Sequence, residues 1–159
     1  MKVITGLLAL VIAISFSLSA KAFCFKEAGV RYQIDPRLLM AIAQQESGMN
    51  PTAVNTNRNK SGKVVSYDYG LMQVNSNHIP KLIGMGIIKS KDELLKNPCQ
   101  NVQIGAWILA SHLQKCGVNW SCLGSYNAGF SEKTEQEKKR LNYARKIYHR
   151  YNTQLAGHP

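Results

Sequence analysis

Acids are scarce in this chain. Nine Asp and Glu stand against 20 Lys and Arg in 159 residues, a formal net charge of +11. An anionic partner therefore fits, but net charge does not choose among nucleic acid, acidic lipid and an anionic cell-wall polymer. There is no Cys-x-x-Cys, and His78, His112, His149 and His158 are scattered; the spacing of a zinc site is missing, and no metal or cofactor is expected. No internal repeat or low-complexity tract is present, and the length suits one domain with a modest core, not two. Nor is there the unbroken apolar run of roughly 20 residues that a membrane span needs. Leu7 to Ile14 is apolar, but Thr5, Gly6, Ser15 and Ser17 interrupt the segment around it.

That short apolar run has another reading. Lys2 precedes it and Ala20-Lys21-Ala22 follows, the small-x-small pattern of a signal-peptidase site, so residues 1–22 are expected to be a signal peptide cleaved after Ala22. Cleavage removes Lys2 and Lys21 and no acid, and lowers the formal charge from +11 to +9. All four cysteines, Cys24, Cys99, Cys116 and Cys122, lie beyond the site, and an even count in an exported chain points to disulfides. If Cys99 and Cys116 open and close one helix they stand roughly 25 Å apart, whereas a disulfide needs Cα atoms within about 7 Å. That pairing is excluded. The short turn "GVNWS" favours Cys116 with Cys122, leaving Cys24 with Cys99; Cys24–Cys116 with Cys99–Cys122 stays open.

The mature chain reads as helices interrupted by one small hairpin, an α+β and predominantly helical class. "CFKEAGVRY" is a short amphipathic helix. "DPRLLMAIAQQESG" has Asp35 as N-cap, Pro36 at the first helical position, an apolar stripe through Leu38, Leu39, Ile42 and Ala43, and Gly48 as its stop. Residues 50–65 are polar and turn-rich and end on Val64-Val65, which predicts a small polar β-hairpin. "SKDE" and "NPCQ" predict capped helix starts. From Pro98 to about Lys115 the pattern is apolar almost all round, as expected of a buried central helix. "SCLGSYNAG" predicts another short helix ending at Gly129, and Ser131 to Arg140 reads as a charged, solvated loop, with a partner contact as the sharper alternative. "LNYARKIYHRY" predicts a last helix with Leu141, Tyr143, Ala144, Ile147, Tyr148 and Tyr151 at helical spacing.

One carboxylate stands out. Glu46 follows Ile42 by four residues and so shares the apolar face of its helix. A carboxyl held against an apolar wall loses hydration of its ionised form, its pKa rises, and it can serve as a general acid near neutral pH. On the helix pattern alone, a solvated glutamate near a helix end is the commoner case. Asp68 is the second candidate, an acid between two tyrosines at the end of the predicted hairpin; the plain alternative is that it closes the turn before Gly70.

Taken together and in order, "QQESGMNPTAVN", "DYGLMQVNS", "GSYNAGF" and "RLNYARKIY" resemble the motifs of lysozyme-like lytic transglycosylases (the SLT domain), which cut bacterial peptidoglycan, over roughly residues 24–152. The chain is most similar to the small, one-domain, IagB- and IpgF-like members associated with secretion, invasion and conjugation. The resemblance implies a lysozyme-like fold over residues 23–152, with 153–159 a flexible tail. It makes Glu46 the catalytic acid/base, with Ser47, Gly70, Leu71, Met72 and Gln73 flooring a sugar-binding groove, and Tyr126, Asn127 and Tyr143 facing Glu46. Leu71 and Met72 could instead be core residues, and Tyr143 part of an apolar stripe. Relatives with an "FC" start and an "NPC" helix start also support pairing Cys24 with Cys99.

"DYG" resembles in addition the segment of animal-type lysozymes whose Asp is the second carboxylate. Asp68 is then expected to steady a cationic transition state, or, in a true muramidase, to act as nucleophile about 5 to 5.5 Å from the acid. The implied partners are peptidoglycan glycan strands and a component of a secretion, pilus or conjugation apparatus. The implied setting is the periplasm of a Gram-negative bacterium, for a monomer without a membrane span after cleavage. A silent peptidoglycan-binding module is the rival from another class, and Glu46 argues against it. A nucleic-acid binder, suggested by Arg140, Arg145 and Arg150 near aromatic residues, conflicts with export and disulfides.

Overall fold

The computed structural model describes residues 23–156; the predicted signal peptide lies outside them. Eight helices and a three-stranded antiparallel sheet make up the described part: α1 (Phe25–Tyr32), α2 (Pro36–Ser47), β1 (Val54–Arg58), β2 (Val64–Tyr69), β3 (Val74–Asn75), a 3-10 turn (Ser76–His78), α3 (Ile79–Gly84), α4 (Glu93–Lys96), α5 (Pro98–Cys116), α6 (Trp120–Leu123), α7 (Ser125–Ala128) and α8 (Thr134–Ala156). Among the described residues no helix is long and apolar enough to cross a membrane.

The helix α5 is apolar all round because it serves two cores. Val102, Ala106 and Leu109 face one with Leu39, Ile42 and Ala43 of α2, Leu71, Met72, and Tyr143 and Ile147 of α8. Ile104 and Ile108 face the other with Tyr69, Val74, Leu82, Ile88 and Leu94. Burial on both sides removes the need for a polar face. Both disulfides brace this helix: Cys24–Cys99 ties its first turn to the start of α1 (Cα–Cα 5.1 Å), and Cys116–Cys122 ties its end to α6 (5.6 Å).

Local signals act as their chemistry dictates at α2. The Asp35 carboxylate accepts from the Arg37 backbone N–H at 2.8 Å and from the Tyr151 hydroxyl at 2.7 Å, so the cap also binds α8. Gly48 ends the helix at φ 61°, where its N–H returns to the carbonyls of Ala43 and Gln44. Asn97 caps α5 through the Gln100 N–H. In "SKDE" it is the acid that acts, the Glu93 carboxylate accepting from the Lys89 N–H.

Five expectations are corrected. The hairpin gains a third strand, because the chain turns back at Gly70 and Val74-Asn75 pairs with Asp68 and Tyr69. "SCLGSYNAG" is two short helices meeting at Gly124, where the Arg140 carbonyl approaches so closely that a Cβ would sit 2.3 Å from it. The charged stretch Ser131 to Arg140 is not a loop: α8 begins at Thr134. Glu135 and Glu137 lie in its first turn, where negative charge suits the helix dipole, and Gln136 and Arg140 donate to the carbonyls of Ala128, Gly129 and Ser131. At its other end α8 runs through Ala156, four residues past the expected boundary. Finally, Leu141 (46 % exposed) and Tyr148 (49 %) lie off the buried stripe of Tyr143, Ala144 and Ile147.

Candidate active site

A groove of about 450 Å³ separates the sheet from the helices, and both carboxylates singled out in the sequence line it. Glu46 enters from the last turn of α2. Its Oε1 accepts a hydrogen bond from the Tyr143 hydroxyl of α8 at 2.5 Å, across 97 residues of sequence. Burial, the largest influence, lifts the Glu46 carboxyl from its ordinary 4.5 to about 7; the Tyr143 bond pulls the other way, and the negative field of Asp68 adds to the rise. The group can therefore hold a proton at neutral pH and also exist as its conjugate base, as two-step acid/base work requires.

Asp68 faces the groove from β2. Residues two apart on a strand share a face, so Ser66 stands beside it; Asn57 on β1 is registered opposite Ser66, and Asn75 on β3 opposite Asp68. The cross-strand neighbours turn this into a cradle. Asn57 donates to Oδ2 and Asn75 to Oδ1, each at 2.7 Å, and both amides also reach the Ser66 hydroxyl at 3.0 Å. The Asn75 carbonyl oxygen accepts from the Asn77 N–H, which fixes its NH2 toward Asp68. Asp68 thus does not close the turn before Gly70, and two neutral donors support its charge. Among the described residues no cation pairs with it.

The turn from Gly70 to Gln73 holds the sheet against α5. Gly70 has φ 75°, and a Cβ there would lie 2.3 Å from the Asn101 amide nitrogen, so both conformation and space demand glycine. Gln73, itself at φ 48°, donates to the Gly70 carbonyl (2.8 Å) and accepts from the Asn55 amide (2.8 Å). Beneath them Asn101, fully buried on α5, accepts from the Met72 N–H and donates to the carbonyls of Tyr69 and Leu94. Tyr126 completes the support by donating to the Met72 carbonyl at 2.8 Å. Burial and the charge of Glu46 push the phenols of Tyr126 and Tyr143 well above their ordinary value, with Asp68 adding to the rise at Tyr126, so both remain donors.

The expected site residues divide accordingly. Glu46, Asp68, Gln73, Tyr126 and Asn127 line the groove. Leu71 and Met72 are fully buried and belong to the core, so their side chains do not floor it; apolar side chains with no exposed surface cannot touch a sugar. Ser47 donates to the Leu71 carbonyl at 2.9 Å, Gly70 is buried under the turn, and Tyr143 acts through Glu46. Sequence reasoning missed Asn57, Ser66, Asn75 and Asn77, His78, and the pair His112 and Ser125, joined at 2.8 Å. The alternating "NTN" and "SYD" of the strands carried that signal, since polar residues two apart share one face. Among the described residues no three His, Cys, Asp or Glu side chains are grouped to hold a metal.

Residues 23–149 match the profile of the family described as Transglycosylase SLT domain. The chain is 49 % identical over 139 residues to a peptidoglycan-binding-like protein of Escherichia coli, covering 87 % of this chain and 80 % of that one. It is 44 % identical over 131 residues to protein IpgF of Shigella flexneri (82 % and 80 %) and 44 % over 133 residues to invasion protein IagB of Salmonella typhimurium (84 % and 78 %). A crystal structure of an inactive mutant of the lytic transglycosylase Slt from Pseudomonas aeruginosa superimposes with a TM-score of 0.60 at 19 % identity, over 86 % of this chain and 24 % of that one. That likeness shows the fold, a lysozyme-like one.

Proposed function

The chain belongs to the Transglycosylase SLT domain family, and from that premise we propose that it is a peptidoglycan lytic transglycosylase with Glu46 as its single acid/base. The observation that carries this reading is the Glu46 carboxyl, half-buried against Tyr143 in a polar groove and pushed up to about 7. Protonated, it gives its proton to the glycosidic oxygen between N-acetylmuramic acid and N-acetylglucosamine; the bond from that oxygen to C1 breaks and positive charge develops at C1. As carboxylate it then takes the proton of the muramic C6 hydroxyl, whose oxygen bonds to C1 and closes a 1,6-anhydro ring. Glu46 ends protonated and no water is consumed.

In this reading Asp68 steadies the cationic centre. Its two oxygens each accept a 2.7 Å amide bond, which suits a fixed field better than a nucleophile. The second reading, a muramidase with Asp68 attacking C1, draws on its place in the same groove as Glu46. Asn127, Gln73 and the asparagines of the strands supply neutral donors and acceptors for sugar hydroxyl and acetamido groups. Export to the periplasm, through the expected signal peptide, and local opening of the wall for a secretion or invasion apparatus follow by analogy with relatives such as the invasion protein IagB.

The test is digestion of purified peptidoglycan by the mature protein, with products read by mass spectrometry. Anhydromuramic ends support the transglycosylase and reducing ends the muramidase. An absence of products sinks the enzymatic reading, and full activity of Glu46→Gln sinks the assignment of Glu46 as its acid/base.

A further inference from the structure

A second pocket of about 570 Å³ adjoins the groove, and the two share one residue. Ser125, 2 % exposed, stands in the partition and is hydrogen-bonded to His112 on the groove side. On the far side Lys115 and Arg140 line the second pocket around Phe130, with the Cys116–Cys122 bridge behind them. Neither cation is spent on a carboxylate. The Lys115 ammonium sits 4.1 Å from the centre of the Phe130 ring, a contact that positions the charge without neutralising it. Arg140 anchors one guanidinium nitrogen on the carbonyls of Gly129 and Ser131; among the described residues no acid pairs with it. Glu132 is the one acid in the lining.

We propose that this pocket is an anion subsite that takes a carboxylate borne on the muramoyl residue of the strand bound in the groove. The identity of the polymer rests on the function proposed above; the subsite rests on the pocket. A glycan lying against Ser125 presents its substituents across the partition, where Lys115 and Arg140 can form charge-assisted bonds to a carboxylate. In the intact strand the lactyl carboxyl is tied up as the amide to the stem peptide, so the free carboxylates on the muramoyl residue are those of that peptide, and the site is assigned to them.

Binding of the Glu46→Gln protein, which leaves the polymer uncut, tests the assignment on three materials. These are intact sacculi, sacculi stripped of peptide by an amidase (the lactyl carboxylate remains), and chito-oligosaccharides, which have no carboxylate. Intact sacculi should bind about tenfold tighter than stripped ones, Lys115→Glu in the same background should erase that preference, and Arg140→Lys should keep it. If stripped sacculi, whose lactyl carboxylate is free, bind tighter than intact ones and Lys115→Glu weakens the stripped material alone, the anion subsite stands but takes the lactyl group, and its assignment to the stem peptide is overturned. If Lys115→Glu binds all three materials as its parent does, or if Lys146→Glu on the exposed part of α8 produces the same loss, the subsite is overturned. Matched melting temperatures confirm that the variants are folded. Failure of the proposed activity shows separately, as a wild-type protein that releases no ends.

Discussion

Replacing Glu46 with Gln should stabilise the fold at neutral and alkaline pH. The folded carboxyl titrates at about 7 instead of its ordinary 4.5, so folding favours the protonated form. Its contribution is fully present below 4.5, and is lost as the pH rises through about 7. At about 1.4 kcal/mol per pH unit, the ionised protein is about 3 kcal/mol less stable than the protonated one. Glutamine has no such titration. Relative to wild type, Glu46→Gln should therefore gain about 3 kcal/mol between about pH 4 and about pH 8, or roughly 10 °C in melting temperature for a domain of this size. Denaturant unfolding and thermal melts of both proteins across that range measure it. Parallel stability curves would refute the argument that burial holds the proton on Glu46, whatever the effect on activity. Cleavage by the wild type should fall over the same window, because the acid is spent once ionised.

Tyr143→Phe removes the hydrogen bond that holds the Glu46 pKa down, so the alkaline limb of a pH–rate profile should move to higher pH while the rate drops. Asp68→Asn should slow cleavage about 10-fold to 100-fold without changing the product, and should move that limb to lower pH by removing a negative neighbour; a switch from reducing to anhydro ends would reveal a nucleophile instead. Asn101→Ala leaves the Met72 N–H and two buried carbonyls without their partner, and urea titration should show a loss of about 2 to 4 kcal/mol. Asp35→Ala should cost about 1 kcal/mol at neutral pH. The Arg37 hydrogen bond, with Tyr151 assisting, lowers the Asp35 carboxyl from 3.8 to about 2; its contribution is present above 3.8 and lost as the pH falls through about 2, so the two melting curves should converge in acid.

What the sequence made legible is local or periodic. Asp35, Pro36 and Gly48 announce α2 because capping is written in adjacent residues, and the step from Ile42 to Glu46 puts the acid on the apolar face, although only the accompanying motifs mark it as more than a solvated helix end. The short turn favours the pairing of Cys116 with Cys122 that the structure has. What stayed hidden depends on tertiary partners. The stretch from Ser131 to Arg140 looks solvated because its charges are visible while the carbonyls that Gln136 and Arg140 will find are not. Asn101 reads as one polar residue on an apolar helix, and only the arrival of the Gly70 turn, about 30 residues earlier in the chain, shows that its amide is a structural bracket. The cradle around Asp68 needs three strands in register, and the third is two residues long.

The bond between Tyr143 and Glu46 joins the second helix of the described fold to the last one, and two further contacts, Arg150 with Gln45 and Tyr151 with Asp35, stitch the same pair. The acid consequently acquires its partner only after almost the whole chain has emerged and docked. A nascent or truncated polypeptide ending before Tyr143 carries the glutamate without its phenol and without the wall that strips it of water. In the function proposed above, cleavage therefore has to wait for the last helix: the chain cannot cut before it has finished folding.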